Sequence, residues 1–250
     1  MDQARARALQ PSDEAIRALP LTSNPKIAAQ IFTNRAGRAT DIGCGEGKFT
    51  RALSAHFDEV HGADIKDKSL GKARAAAQAE NSDVRFINAS GDALPFNAGH
   101  FDAVIFSNSL HHMPDPVTAL AEAARVLKQD GVLYVMEPVA SGNYHEATKL
   151  VNDETVVRTQ AWQAMKAAIG FRHEQEILYR ARRSCANFEE WKADQIERSE
   201  ARRAKFDANP QLVQQTFEGA ADKEDGRLGF DQVFRVDVLR KVAGEGVTRT

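Results

Sequence analysis

Residues 39–47, Ala-Thr-Asp-Ile-Gly-Cys-Gly-Glu-Gly, constrain this chain more than any other stretch. A short apolar approach ends in Asp41. Glycines follow at every second position, Gly43, Gly45 and Gly47, and a helical pattern begins at once with Lys48. That order reads as strand, tight turn and helix N-terminus. Glycine accepts left-handed backbone angles and, having no Cβ, lets a ligand lie against the main chain. The turn is therefore a nucleotide-sized site of an α/β protein. The dinucleotide fingerprint is G-x-G-x-x-G. Here the spacing is G-x-G-x-G, and Lys48 occupies the place of the third glycine, which disfavours a nicotinamide cofactor. Asp64 lies 19 residues beyond Gly45, at the end of the next apolar run, where such sites hold ribose hydroxyls.

From residue 38 the chain alternates short apolar runs with helical patterns. Strands are expected at Ala39–Ile42, Glu59–Ala63, Val84–Asn88, Phe101–Phe106 and Val132–Met136. Helices are expected after the glycine turn, over Lys68–Glu80, and from Pro116, capped by Asp115, with Val117, Leu120, Ala121, Ala124 and Leu127 as its apolar stripe. Asp130-Gly131 is read as the turn into the fifth strand. The alternation predicts a mostly parallel sheet with helices on both faces.

Beyond Pro138 the pattern changes. Residues 142–168 read as one long helix, and a strand is expected near Glu176–Tyr179. Another helix begins at Asn187, with Glu190 completing a capping box, and 207–224 reads as helical. Gly229–Lys241 alternates like a strand. Residues 1–34 read as short helices broken by Pro11, Pro20 and Pro25, and 244–250 as a frayed tail.

Composition narrows the function classes. A net charge of −2 gives no global attraction to nucleic acid. There is no apolar run long enough for a membrane span and no secretory signal at the N-terminus. Two cysteines, Cys44 and Cys185, make a disulfide framework improbable and suit a reducing cytoplasm. They are too few for an iron–sulfur cluster, which removes radical chemistry, and no metal site is read.

The third strand is followed by Ser90-Gly91-Asp92-Ala93-Leu94-Pro95-Phe96, the fourth by Ser107-Asn108-Ser109-Leu110-His111-His112, and the fifth by Glu137-Pro138. With Phe-Asp-Ala-Val, Ala-Arg-Val-Leu-Lys and Asp-Gly-Val-Leu in the same order, residues 36–139 resemble class I S-adenosylmethionine-dependent methyltransferases, in particular the broad group that includes quinone-biosynthesis methyltransferases. The resemblance implies a Rossmann-like sheet of seven strands with a helical insertion or lid. With the pattern of the rest of the chain, four parts are expected: an N-terminal helical segment 1–35, the cofactor-binding core 36–140, the insertion 141–228, and a last strand 229–242.

The resemblance also implies site roles. Asp41 and the backbone of Gly43, Cys44 and Gly45 hold the amino-acid end of S-adenosylmethionine. Asp64 takes the ribose hydroxyls and Ile65 packs on adenine. Ser90 and Gly91 meet the adenine edge. Many relatives have Asp at the position of Ser90, so either Ser90 or Asp92 makes that contact. Ser107 and Asn108 flank the methionine moiety and the transferred methyl. Cys44 is a small residue of the turn, not a nucleophile. His111 and His112 are candidates for catalysis as a general base, with pocket shaping the favoured role. Glu137, Tyr144, His145 and Asn152 are candidates for the acceptor side.

The expected activity is methyl transfer to a small-molecule acceptor by direct displacement. The insertion 141–228 is expected to supply the acceptor pocket. Two alternatives stand beside it: a nucleic-acid or protein methyltransferase, kept open by the basic residues Arg180, Arg182, Arg183, Arg202, Arg203 and Lys205, and a non-enzymatic cofactor-binding scaffold. Neither the acceptor nor the oligomeric state is legible in the chain.

Overall fold

The computed structural model describes residues 11–243. Its strands are β1 (Arg38–Ile42), β2 (Glu59–Asp64), β3 (Arg85–Asn88), β4 (Phe101–Ser107), β5 (Leu127–Pro138), β6 (Phe171–Cys185), β7 (Asp222–Glu224) and β8 (Arg227–Lys241). They form one sheet in the order β3-β2-β1-β4-β5-β8-β6, with β7 paired antiparallel to β8 as an eighth strand beside the seven expected. The pairs β1–β2, β1–β4, β2–β3 and β4–β5 are all parallel. The four residues Ala39–Ile42 of β1 are all buried, as befits a central parallel strand covered on both faces.

The chain divides into two compact units. Among the described residues, one comprises Ser23–Glu137, Gln160–Ile177 and 235–243; the other comprises 11–22, Pro138–Thr159 and Leu178–Phe234. The first holds the glycine turn and a core that includes Ile42, Phe101, Phe106, Leu133, Met165 and Leu239. Its helices are α2 (Asn24–Ile31), α3 (Lys48–Leu53), α4 (Asp67–Ala79), α5 (Pro116–Val126) and most of α7 (Thr155–Lys166). The second holds α1 (Asp13–Ala18), α6 (Asn143–Thr148), α8 (Phe188–Arg198), α9 (Glu200–Ala208) and α10 (Pro210–Ala220). Of these, α6, α8, α9 and α10 gather around Phe188, Trp191, Phe206, Phe217 and Phe230, with the Trp191 and Phe217 rings stacked at 4.5 Å.

Several expectations need correction. Residues 142–168 form two helices, α6 and α7, because the polar stretch at Asn152-Asp153 starts a new helix: Asp153 accepts the Thr155 amide at 2.9 Å. The strand expected near Glu176–Tyr179 runs from Phe171 to Cys185. The helical reading of 207–224 stops at Ala220, and Asp222–Glu224 is β7. The stripe of α5 is rotated: Ala119, Leu120, Ala123 and Val126 are buried while Val117 is 62% exposed. Small alanines let this helix lie close on the sheet, a preference that hydropathy spacing does not register.

Other local readings hold. Asp115 accepts the Val117 amide at 2.9 Å, with Pro116 opening α5. Asp130-Gly131, by contrast, does not precede the fifth strand but lies inside β5, which starts at Leu127; Asp130 has φ +59°, and the register slips there between Phe101↔Leu127 and Ala103↔Val132. Asn187 caps α8 through the Glu190 amide at 2.9 Å, but Glu190 reaches back to the Ala186 amide at 2.6 Å. The expected tail, 244–250, lies outside the described residues, as do the first ten residues.

Candidate functional site

In an open α/β sheet the ligand crevice lies where strand order reverses, at the carboxyl ends of the strands. Here that point is β1, which has β2 on one side and β4 on the other. Asp41, Asp64 and Ser107 lie at or near the C-terminal ends of β1, β2 and β4.

The glycine turn is left-handed at all three glycines, with φ +72°, +56° and +71° for Gly43, Gly45 and Gly47. Their reasons differ. A Cβ on Gly47 would fall 2.5 Å from the Phe86 ring, and one on Gly43 would fall 2.6 Å from Ser109 Cβ. A Cβ on Gly45 would meet nothing within 4 Å. Gly43 and Gly47 are therefore demanded by packing, and Gly45 leaves open space.

Four of the turn's amides are occupied. Gly43 and Cys44 both donate to the Ala63 carbonyl, at 2.8 and 3.0 Å, and Gly47 donates to the Cys44 carbonyl at 2.9 Å. Gly45 donates to Asp64 Oδ2 at 2.9 Å, and the other oxygen of Asp64 accepts the Lys66 amide at 2.8 Å. A pyrophosphate needs free amides here; this turn offers carbonyl oxygen instead. The Asp64 carboxylate ties the two motifs together and keeps further lone pairs for hydroxyl donors.

Asp41 is fully buried. One carboxylate oxygen accepts the Thr50 hydroxyl at 2.7 Å, and Oδ1 has no partner. Burial pushes its pKa up to about 7, the Thr50 hydrogen bond opposes this and nearby Asp64 adds to it. Burial, then the charges of Asp41 and Asp64, also push the Cys44 thiol up, which removes it as a nucleophile.

The remaining candidates take distinct places. Ile65 is 62% exposed, an apolar face at the end of β2. Ser90 is half-buried and Asp92 exposed, in a turn closed by the Ala93 amide on the Ser90 carbonyl at 3.1 Å. Gly91 is buried, and a Cβ there would meet Met113 Sδ at 2.7 Å. Asn108 has φ +58° and donates its amide to Met136 O at 2.7 Å.

His111 is buried and His112 exposed, with ring centroids 3.9 Å apart in the turn Leu110–His112. Glu137, at the end of β5, pairs with His111 Nδ1. It also accepts the amides of Leu110 at 2.8 Å and His111 at 3.3 Å. The carboxylate thus sets Nδ1 as the protonated nitrogen and fastens the turn after β4 to β5.

Sequence reasoning missed four contributors: Thr50, Met113, Asn24 and Ser109, whose hydroxyl donates to Ile42 O at 2.5 Å. None carries a motif signal, since each acts through a neighbour. Tyr144, His145 and Asn152 lie in the other unit. Tyr144 packs on Phe230, Asn152 accepts from Arg202 at 3.2 Å, and burial holds the His145 imidazole below its usual pKa. That unit contains a cavity of about 750 Å³ lined by residues of three segments, among them Arg17, Asn143, Glu146, Gly219, Asp222 and Asp231.

Residues 40–135 match the family model described as a methyltransferase domain. Over these residues the chain is similar to methyltransferase domains. The chain is 34% identical over 107 residues to the ubiquinone biosynthesis O-methyltransferase of Methylococcus capsulatus, covering 42% of this chain and 45% of that protein. It is 36% identical over 132 residues to the 27-O-demethylrifamycin SV methyltransferase of Amycolatopsis mediterranei, covering 50% and 48%. The chain spans about half the length of the curated relatives it matches. The solved YcgJ protein of Bacillus subtilis has a TM-score of 0.64 at 21% identity, covering 88% of this chain and 98% of that one. The domain's cofactor is S-adenosylmethionine, and its residues fit that group. Asp41 Oδ1 is a buried acceptor without a partner, suited to an ammonium, and the occupied amides suit no phosphate. Among the described residues no helix is long and apolar enough to cross a membrane.

Proposed function

We propose that this protein transfers a methyl group from S-adenosylmethionine to a hydroxyl-bearing small molecule. The observation that carries the reading is the joined pair of motifs: the Asp64 carboxylate on the Gly45 amide, beside the unpartnered oxygen of Asp41. The bound cofactor supplies an activated sulfonium methyl, and the protein supplies alignment and exclusion of water. Asp41 would accept the ammonium, Asp64 the ribose hydroxyls, and Ile65 would cover the adenine. The buried His111, fixed by Glu137, holds the turn after β4. The exposed His112 is the histidine offered to an acceptor.

The hydroxyl acceptor rests on the names of two relatives, a ubiquinone biosynthesis O-methyltransferase and a 27-O-demethylrifamycin SV methyltransferase. Fold alone would not decide it, since one neighbour with a TM-score of 0.54 is named as a [4+2]-cyclase. A nucleic-acid substrate is disfavoured. Arg180 lies on Asp231 at 3.0 Å, and Arg182 lies on Asp222 and Glu224 at 2.9 Å, so these two members of the basic run are neutralised internally. We assign acceptor selection to the segment 141–228 and its cavity.

Calorimetry should show binding of S-adenosylmethionine and of its demethylated product, and none of NAD. An acceptor screen with labelled cofactor should then find hydroxylated small molecules. Gly219→Leu adds bulk to the cavity wall where an added Cβ has open space, so it should raise acceptor KM and leave cofactor affinity unchanged. NAD binding without any sulfonium ligand would overturn the assignment.

A further inference from the structure

Ser107 ends β4, and its hydroxyl belongs to a chain of three side chains from three elements. Tyr134 of β5 is fully buried, and its phenol donates to Asn24 Oδ1 at 2.5 Å. Asn24 opens α2, and its Nδ2 donates to Ser107 Oγ at 2.9 Å. The two distances fix the direction of the amide. O–H···O bonds run at about 2.5–3.0 Å and N–H···O bonds at about 2.7–3.2 Å. The 2.5 Å contact therefore has the amide oxygen, and the 2.9 Å contact the amide nitrogen.

This direction has a consequence for Ser107. One lone pair of Oγ is taken by Asn24, so the hydroxyl proton is left to be donated elsewhere. The cofactor's amino-acid end carries a carboxylate as well as an ammonium. Asp41 suits the ammonium and repels the carboxylate. Within the glycine turn the amides of Gly43, Cys44, Gly45 and Gly47 already have protein acceptors. A side-chain hydroxyl suits the carboxylate, and the relay has prepared one.

We propose that the Tyr134–Asn24–Ser107 relay presets Ser107 as the hydrogen-bond donor to the carboxylate of S-adenosylmethionine, with Asn24 as a positioning residue. The proposal rests on the cofactor reading above. It makes Ser107 a discriminator for the amino-acid end, and places a residue outside the methyltransferase motifs in control of it.

The test is calorimetry on the full chain with the demethylated cofactor and with a decarboxylated analogue of the cofactor. A hydrogen bond to a charged group corresponds to at least about a tenfold change in affinity. Ser107→Ala should weaken binding of the demethylated cofactor by that factor and leave the decarboxylated analogue unaffected. Asn24→Asp is isosteric, but its second oxygen would accept the Ser107 proton and turn the hydroxyl away. It should cost as much as Ser107→Ala, and the double variant should be no worse than Ser107→Ala alone. Tyr134→Phe frees the amide to turn and serves if Asn24→Asp does not fold. Independent, additive losses, equal losses for both ligands, or no loss in Ser107→Ala would overturn the relay. Asp64→Ala separates the two levels: it should weaken both ligands. If it weakens neither, the cofactor reading fails; if it does and Ser107→Ala does not, only the relay fails.

Discussion

Two glycines of the turn share a left-handed backbone but have unlike surroundings, so the same substitution should have opposite consequences. At Gly45 an alanine carries the αL strain of about 1–2 kcal/mol but meets no protein atom within 4 Å. Gly45→Ala should therefore fold, with its loss concentrated in cofactor affinity. At Gly47 the new Cβ would lie 2.5 Å from Phe86, a buried ring, and overpacking adds to the strain. Gly47→Ala should lower the urea midpoint clearly more than Gly45→Ala does. Equal midpoints would show that the Phe86 contact yields at no cost. Asp41 gives a second prediction at this scale. Its pKa rises from 3.8 to about 7 on folding, chiefly through burial. A raised carboxylate contributes stability that is fully present below about pH 4 and is lost as pH rises through about 7. A rise of that size corresponds to on the order of 4 kcal/mol. Without cofactor, Asp41→Asn should match the native chain near pH 4 and exceed it in stability at pH 8. An ammonium binds only the carboxylate form, so native cofactor affinity should fall about tenfold per pH unit below pH 7. Calorimetry in buffers of different ionisation enthalpy would show the proton released; affinity flat from pH 5 to 7 would exclude Asp41 as the ammonium's partner.

Among the elements, legibility follows how local the determining physics is. The ends of β1, β2 and β4 were readable because Asp41, Asp64 and Ser107 sit beside glycine or turn chemistry in the chain itself. The cap of α5 was readable because Asp115 and Pro116 act on the next two residues. The break between α6 and α7 was hidden, since the apolar spacing of Leu150, Val157, Ala161 and Met165 continues across it. The length of β6 was equally hidden: its burial is broken, with the residues Arg172–Glu176 exposed, so it has no apolar run to announce it. The role of Glu137 was hidden for another reason, because its partner lies 26 residues earlier. That pairing makes a prediction. Removing the His111 side chain leaves the buried Glu137 carboxylate with two backbone amides but without its imidazole partner, a loss of about 1–3 kcal/mol or more for a buried charged group. His111→Ala should thus destabilise the chain, while Glu137→Gln, which keeps an acceptor for the two amides, should cost about 1–3 kcal/mol. His112→Ala should leave stability alone and raise acceptor KM. If His111→Ala folds normally and instead abolishes the acid limb of the pH–rate profile, His111 is the general base.

For the molecule as a whole, cofactor binding and folding are linked. A ligand that binds only the native state adds RT ln(1 + [L]/Kd), about 2.7 kcal/mol at a hundredfold excess over Kd. In a chain of 250 residues each kcal/mol moves the melting temperature by about 2–4 °C. Saturating demethylated cofactor should therefore raise Tm by about 5–11 °C, and NAD should not. The gain should also be localised. The cofactor candidates from Asp41 to Asn108 all belong to the unit that comprises Ser23–Glu137, Gln160–Ile177 and 235–243. The cavity at Asn143 and Asp231 belongs wholly to the other. Hydrogen exchange with cofactor alone should slow the amides at the C-terminal ends of β1, β2 and β4. An acceptor should add protection in the segments 141–146 and 216–222 that line the cavity. Protection by cofactor confined to the second unit would place the site on the wrong half of the chain, whereas acceptor protection that never reaches the cavity would remove only the acceptor pocket.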